Sequence, residues 1–183
     1  MNKKVKIMLF IIIVLLGAFL YKSEVVHRFI YPQKYSEYVG KYSKEYDLDE
    51  NLVYSIIKVE SKFNCKVVSK RNAKGLMQIM DITSDWASGE LDMENVDIYD
   101  PETNIKIGCW YLRKLFDEFG KEDLVIAAYN GGSGNVKKWL QDGEYSKDGE
   151  NLHKIPFLQT SKYVEKVKKA HEMYTEIYGN KAK

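Results

Sequence analysis

The stretch Ile7 to Tyr21, IMLFIIIVLLGAFLY, carries no charge and is bounded by Lys3, Lys4 and Lys6 on one side and Lys22 on the other. A helix that is apolar on every face lacks the one-sided stripe of a core helix and is the pattern of an export segment. At ~1.5 Å rise per residue the run is short for a bilayer, and a snorkelling Lys22 with an interfacial Tyr21 extends it. No small-x-small cleavage site precedes the polar region, and no Cys follows to accept a lipid. Residues 1–22 therefore read as an uncleaved signal anchor, a single transmembrane helix, with a cleaved signal peptide as the alternative. Lysines on the N-terminal flank stay cytoplasmic, which puts everything after residue 22 on the extracytoplasmic side of the cell membrane. Residues 23–34 read as a linker and 35–183 as one domain.

The 183 residues carry 28 basic and 26 acidic side chains, a net charge of +2, and three of the lysines belong to the first six positions. The rest is near neutral, so no basic surface for nucleic acid is implied. Fourteen tyrosines and three tryptophans suit a surface that stacks on sugar rings, although tyrosine also fills ordinary cores. Cys65 and Cys109 could form one bridge in an oxidising compartment or remain free thiols. Neither belongs to a CxxC or Cys/His pattern. His171-Glu172 starts like a zinc-binding HExxH, but Thr175 stands where the second histidine is needed. No metal or cofactor is expected.

Helical periodicity dominates from residue 35 onward, so the fold is expected to be mainly α. Tyr35 to Tyr46 is amphipathic, and Asp49 can cap a second helix running to about Lys62. Asp100-Pro101 is a cap followed by proline at the first helical position, opening a helix with Ile105, Gly108, Leu112, Leu115, Phe116 and Phe119 inward. A short helix from Glu122 to Tyr129 should end at Asn130-Gly131-Gly132, and Asn135 to Leu140 can add a turn or two. Tyr163, Val167, Ala170, Tyr174 and Ile177 define the last helix, with Thr160 or Ser161 as its cap. Residues 66–80 are expected to be irregular or a small sheet, and 141–154 a polar loop.

Within the second helix Leu52, Val53, Ile56, Ile57 and Phe63 form the apolar stripe, and Glu60 lies on it, four after Ile56 and three after Ile57. A carboxyl there faces the core or a cleft. Desolvation and the negative end of the helix dipole both favour its protonated form, which is what a general acid requires. The alternative is a glutamate at the stripe's edge that reaches solvent or pairs with Lys62 or Lys66.

Four motifs occur in order: Glu60-Ser61; Gly75-Leu76-Met77-Gln78-Ile79-Met80; Ala128-Tyr129-Asn130-Gly131-Gly132; and Ile155-Pro156-Phe157 followed by Thr160 and Tyr163-Val164. Together they resemble the SLT family of lytic transglycosylases over about residues 35–178. The resemblance implies a lysozyme-like α+β fold, compact and mainly helical, with a saccharide-binding groove. It also implies cleavage of the β-1,4 bond between N-acetylmuramic acid and N-acetylglucosamine in peptidoglycan glycan strands. Glu60 matches the family's catalytic carboxylate, Ser69 a hydroxyl near the muramoyl N-acetyl group, and Gln78 and Met80 residues that contact sugar. Tyr129 and Asn130 match a groove-lining pair, and Tyr163 a tyrosine beside the acid. Met80 has an alternative as a core residue, and Asn130 as the left-handed residue that ends a helix. The chain departs from the family pattern at Asp81, at Gly131-Gly132, and at Gln159, where a glutamate is frequent.

No motif supplies a second carboxylate for Glu60, whereas retaining and inverting glycosidases need two. The resemblance implies a non-hydrolytic route: Glu60 protonates the leaving oxygen, the muramoyl acetamido group oriented by Ser69 supports the anomeric centre, and the C6 hydroxyl closes a 1,6-anhydro ring. Tyr163 would restrain the carboxyl. The alternatives are a goose-type lysozyme, which would use water, and a peptidoglycan-binding module without turnover.

Overall fold

A computed structural model describes residues 2–21 and 24–179, with the side chains of residues 15, 16, 18–21 and 24 outside the description. Among the described residues there are nine helices and no strand. They are α1 (Lys3–Tyr21), α2 (Glu24–Ile30), α3 (Ser36–Glu45), α4 (Glu50–Ser61), α5 (Asp81–Glu90), α6 (Pro101–Phe119), α7 (Glu122–Gly131), α8 (Ser133–Leu140) and α9 (Leu158–Tyr178).

Helix α4 is the centre. Its residues Leu52, Val53, Tyr54, Ser55, Ile56 and Ile57 are all buried, so neighbours cover it on nearly every face in the middle, not on one stripe. It packs most extensively on α9, and α9 in turn on α7. Helix α6 joins α7, α3 and α5 to this centre. Both caps read from sequence form: Asp49 accepts from the Asn51 amide at 2.7 Å, and Asp100 accepts from the Thr103 amide at 2.9 Å ahead of Pro101.

Several boundaries differ from expectation. Helix α7 runs through Asn130 and Gly131 and stops at Gly132, whose φ of +87° no L-residue adopts comfortably, so Asn130 is helical and not the left-handed terminator. Helix α9 begins at Leu158 without a side-chain cap, because Thr160 lies inside the helix and its hydroxyl donates to Asn130 Oδ1 at 3.0 Å. Helix α5 had no counterpart in the periodicity reading. Its sequence, DITSDWASGE, buries only Ser84 and Ala87, too thin a stripe to announce a helix. The 66–80 segment is irregular, held by isolated bridges from Lys74 to Val68 and Ile79.

Among the described residues no helix is long and apolar enough to cross a membrane. Helix α1 leaves its described apolar side chains bare, Phe10 at 67% and Ile13 at 64% exposure. Lys22 and the Tyr21 side chain, invoked to extend the span, lie outside the described residues. Residues 24–30, expected within a linker, are helical, and the following segment is tied down by Tyr174 and Tyr178, whose hydroxyls donate to the carbonyls of Pro32 and Tyr31. Cys65 and Cys109 are both free thiols, the second fully buried.

Candidate functional site

A groove of about 620 Å³ is lined by α4 through Glu60, by the 69–80 loop, by the start of α5, by Tyr111 of α6, and by Tyr129 to Gly132 of α7, with Gln159 on its far wall. Of the residues singled out in the sequence, Glu60, Ser69, Gln78, Met80, Tyr129 and Asn130 all line this one groove. Tyr163 is buried and does not. Lys70, Arg71, Thr83 and Tyr111 also line it and carried no sequence signal of their own.

The end of α4 aims Glu60. Ser61 Oγ donates to the Ile57 carbonyl and accepts from the Phe63 amide, both at 3.1 Å, and Lys62 and Phe63 follow in the left-handed region. This hydroxyl-braced turn stops the helix one residue after Glu60 and explains the Glu-Ser pairing by local physics. Burial pushes the Glu60 carboxyl up to about 7, the largest influence on it, while Tyr163 pulls in the opposite direction. The Tyr163 hydroxyl is buried with no partner of regular hydrogen-bond geometry, and its strongest charged neighbour is Glu60. The two groups therefore stand at the margin of a hydrogen bond.

The facing loop is anchored by one side chain that the periodicity reading passed over. Asn104 of α6 is fully buried, donates from Nδ2 to the carbonyls of Lys74 (3.0 Å) and Ile98 (2.8 Å), and accepts from the Met77 amide at 2.7 Å. Gly75 makes this possible. Its φ is +77°, and a Cβ there would stand 2.2 Å from Asn104 Nδ2 and 2.8 Å from the Ile98 carbonyl. Tyr129 adds a second tie, donating to the Met77 carbonyl at 2.8 Å, and its phenol is held far above its usual pKa by burial and then by Glu60.

Gln78, left-handed at φ +51°, spends its amide nitrogen on the carbonyls of Val67 and Gly75, which leaves Oε1 as its free polar atom. Ser69 Oγ accepts from the amides of Arg71 and Ala73, so its proton remains available to donate outward. Met80 is 40% exposed at the groove's edge, which removes the core alternative for it.

Among the described residues Glu60 is the only carboxylate lining the groove. Asp81 is engaged by Lys74 at 2.5 Å and Asn72 at 2.8 Å, and Glu102 by Lys41 at 2.7 Å and Tyr42 at 2.8 Å, outside the groove. Among the described residues no group of His, Cys, Asp or Glu is arranged to hold a metal ion.

Residues 37–152 match the family model of the transglycosylase SLT domain. The chain is 33% identical over 160 residues to the soluble lytic murein transglycosylase of Salmonella typhimurium, a match covering 82% of this chain and 24% of the relative. It is 32% identical over 170 residues to the membrane-bound lytic murein transglycosylase C of Actinobacillus pleuropneumoniae, covering 79% and 47%. Among solved structures, the 70 kDa soluble lytic transglycosylase of Escherichia coli superposes with a TM-score of 0.73 at 28% identity, over 84% of this chain and 26% of that one. The lytic transglycosylase Slt of Pseudomonas aeruginosa, solved as an inactive glutamate-to-glutamine mutant, does so at 0.70 and 27% identity, over 80% and 24%. This chain thus spans about a quarter of the length of the soluble relatives. With a family model matched across most of the domain and the lysozyme-like helical fold shared with these structures, the chain belongs to the transglycosylase SLT domain family.

Proposed function

We propose that the domain is a peptidoglycan lytic transglycosylase that cleaves the bond between N-acetylmuramic acid and N-acetylglucosamine without water, with Glu60 as its only acid and base. The observation that carries this reading is the solitary, largely desolvated Glu60, whose carboxyl is raised to about 7 in a groove that no second acid lines among the described residues. A group with that pKa is protonated in part at neutrality and can give its proton to the glycosidic oxygen as the bond to C1 breaks. The acetamido oxygen of the muramoyl sugar shields the cationic C1, with the Ser69 hydroxyl as the donor that orients it. The Glu60 carboxylate then takes the C6 hydroxyl proton while O6 bonds to C1. The acid is regenerated and a 1,6-anhydromuramoyl end is left. A goose-type hydrolysis would need a group to position water, and among the described residues no second carboxylate lines the groove.

Tyr163 supports the carboxyl from behind, and its restraint on the Glu60 rotamer is a form of preorganisation. Tyr111, Tyr129 and Met80 provide apolar surface for sugar faces, and Asn130 and Gln78 Oε1 polar edges. The relatives' names support the reaction, and the inactive glutamate mutant supports a carboxyl as the essential group. Residues 1–22 are proposed to hold the domain at the outer face of the membrane, with 35–183 as the catalytic unit. The bare apolar side chains of α1 and a membrane-bound relative favour that placement.

Glu60→Gln tests the assignment. Cleavage of purified cell walls should drop at least 10³-fold while the fold is kept. Because the folded pKa is raised, the carboxyl's relative stabilisation is complete below about pH 4.5 and is lost as pH rises through about 7. The variant should therefore be more stable than the parent at pH 8, by about 2 kcal/mol, with the gain fading toward pH 4. Wall clearance equal to the parent's would remove Glu60 from the mechanism.

A further inference from the structure

Helix α4 carries a second feature on its other side. Lys58 is two residues before Glu60, about 200° around the helix axis, so it points away from the groove. It helps line a depression of about 780 Å³ between α2, the 31–34 segment, the end of α4 and α9. Six cations contribute to this depression, Arg28, Lys34, Lys58, Lys62, Lys166 and Lys169, and among the described residues no acid does. The rest of its lining is apolar or aromatic. Phe29 is 86% exposed and Ile30 48%, and Val25 on the same helix is 76% exposed.

Two contacts fix this arrangement to the domain. Lys58 Nζ donates to the Ile30 carbonyl at 2.5 Å and lies 4.3 Å from the Tyr31 ring centre, and Arg28 stands 5.1 Å from the Tyr178 ring centre on α9. An exposed phenylalanine beside a cationic cluster is what an interfacial element presents to a bilayer, with rings among the acyl boundary and ammonium groups among phosphates. Helix α2, which carries Val25 and Phe29, begins three positions after the bare apolar helix α1 ends. The all-cationic lining and the exposed apolar side chains of α1 and α2 select the same occupant.

We infer that this face is a membrane-docking surface for a bilayer rich in anionic headgroups, with Phe29 and Val25 in the interface and Lys62, Lys166 and Lys169 on lipid phosphates. Docked this way, α4 presents Glu60 on the side turned from the membrane. The surface orients the groove toward the wall and does not depend on which reaction the groove performs.

The test is hydrogen exchange on the full chain in lipid nanodiscs. In phosphatidylglycerol discs the amides of 24–34 and 162–170 should exchange on the order of tenfold more slowly than in phosphatidylcholine discs, while the 69–80 loop exchanges alike in both. The protection should vanish at 0.5 M salt, as expected for attraction screened within a few ångströms. It should also vanish in the double variant Lys166→Glu, Lys169→Glu, whose positions on α9 are exposed and whose wall-cleaving activity in solution should match the parent's. Phe29→Asp should reduce it without touching the lysines. Equal exchange in the two lipids, or protection that survives the double variant, overturns the proposal. So does equal protection in phosphatidylcholine discs on adding soluble poly(glycerol phosphate), which would assign the face to a wall polymer instead.

Discussion

Burial raises the pKa of Glu60 to about 7, so its protonated fraction falls as pH rises through neutrality, and cleavage that needs the acid form should decline on the alkaline side near that value. Tyr163 pulls the same carboxyl down. Replacing it by Phe should move the alkaline limb of the kcat/KM profile to higher pH and lower kcat about 10-fold through the freed rotamer. A pH–rate series on soluble glycan fragments checks both, and an unmoved limb would leave Tyr163 a packing residue only. A carboxyl on an apolar helical stripe made Glu60 a candidate for the groove, but the stripe alone left a solvent-facing or lysine-paired glutamate equally open, and the ordered motifs were needed to choose between them. Lys70, Arg71, Thr83 and Tyr111 were not legible. They reach the groove from a loop and two other helices, and their convergence is a property of packing that no local spacing encodes. Met80 lay between two readings because its exposure depends on its being the residue that opens α5, a helix with almost no apolar signature.

Asn104 shows how one element holds another. Its side chain satisfies two carbonyls and one amide of the segments that shape the groove's wall, and since the Lys74 carbonyl also accepts from the Ile79 amide, Asn104→Ala would leave the Met77 amide and the Ile98 carbonyl without a partner beside a new cavity. The expected cost is about 3 kcal/mol, seen as a lower melting temperature and a raised KM for glycan while the pH profile keeps its shape. A second joint lies at the opposite end of α4. His171 of α9 meets Asp49, the cap of α4, at 2.9 Å and Glu122, in the first turn of α7, at 3.2 Å, and these two carboxylates lift its pKa to about 9. A raised folded pKa means that the clamp's stabilisation is full below about pH 6.5 and is lost as pH climbs through about 9. Discounted for partial exposure it is worth about 1 kcal/mol, so His171→Gln should lower the melting temperature by a few degrees at pH 6 and hardly at all at pH 10. Caps and long helices were readable because aspartate, proline and a periodic stripe act locally. The start of α9 was misplaced because Thr160 looks like a cap in sequence, whereas in the fold its hydroxyl is spent on Asn130 across the α7–α9 contact.

At the scale of the whole molecule, the helices packed on and beyond α4 frame a groove lined, among the described residues, by one carboxylate, and the ordered motifs from Glu60 to Tyr163 are parts of that groove and its support strung along the chain. The 66–80 segment illustrates the limit of sequence reasoning. Its Gly75-to-Met80 run could be matched to a family, yet the reason for Gly75 is a helix residue 29 positions later. In the proposed reaction a lone Glu60 uses the substrate's own C6 hydroxyl in place of water, an intramolecular acceptor with an effective concentration on the order of 10⁵ M or more. The most direct measurement is mass analysis of wall fragments released by the purified protein in oxygen-18 water, before and after borohydride. Every new end should be a 1,6-anhydromuramoyl residue, free of label and unchanged by borohydride. Ends heavier by one labelled water and reducible by borohydride would contradict it.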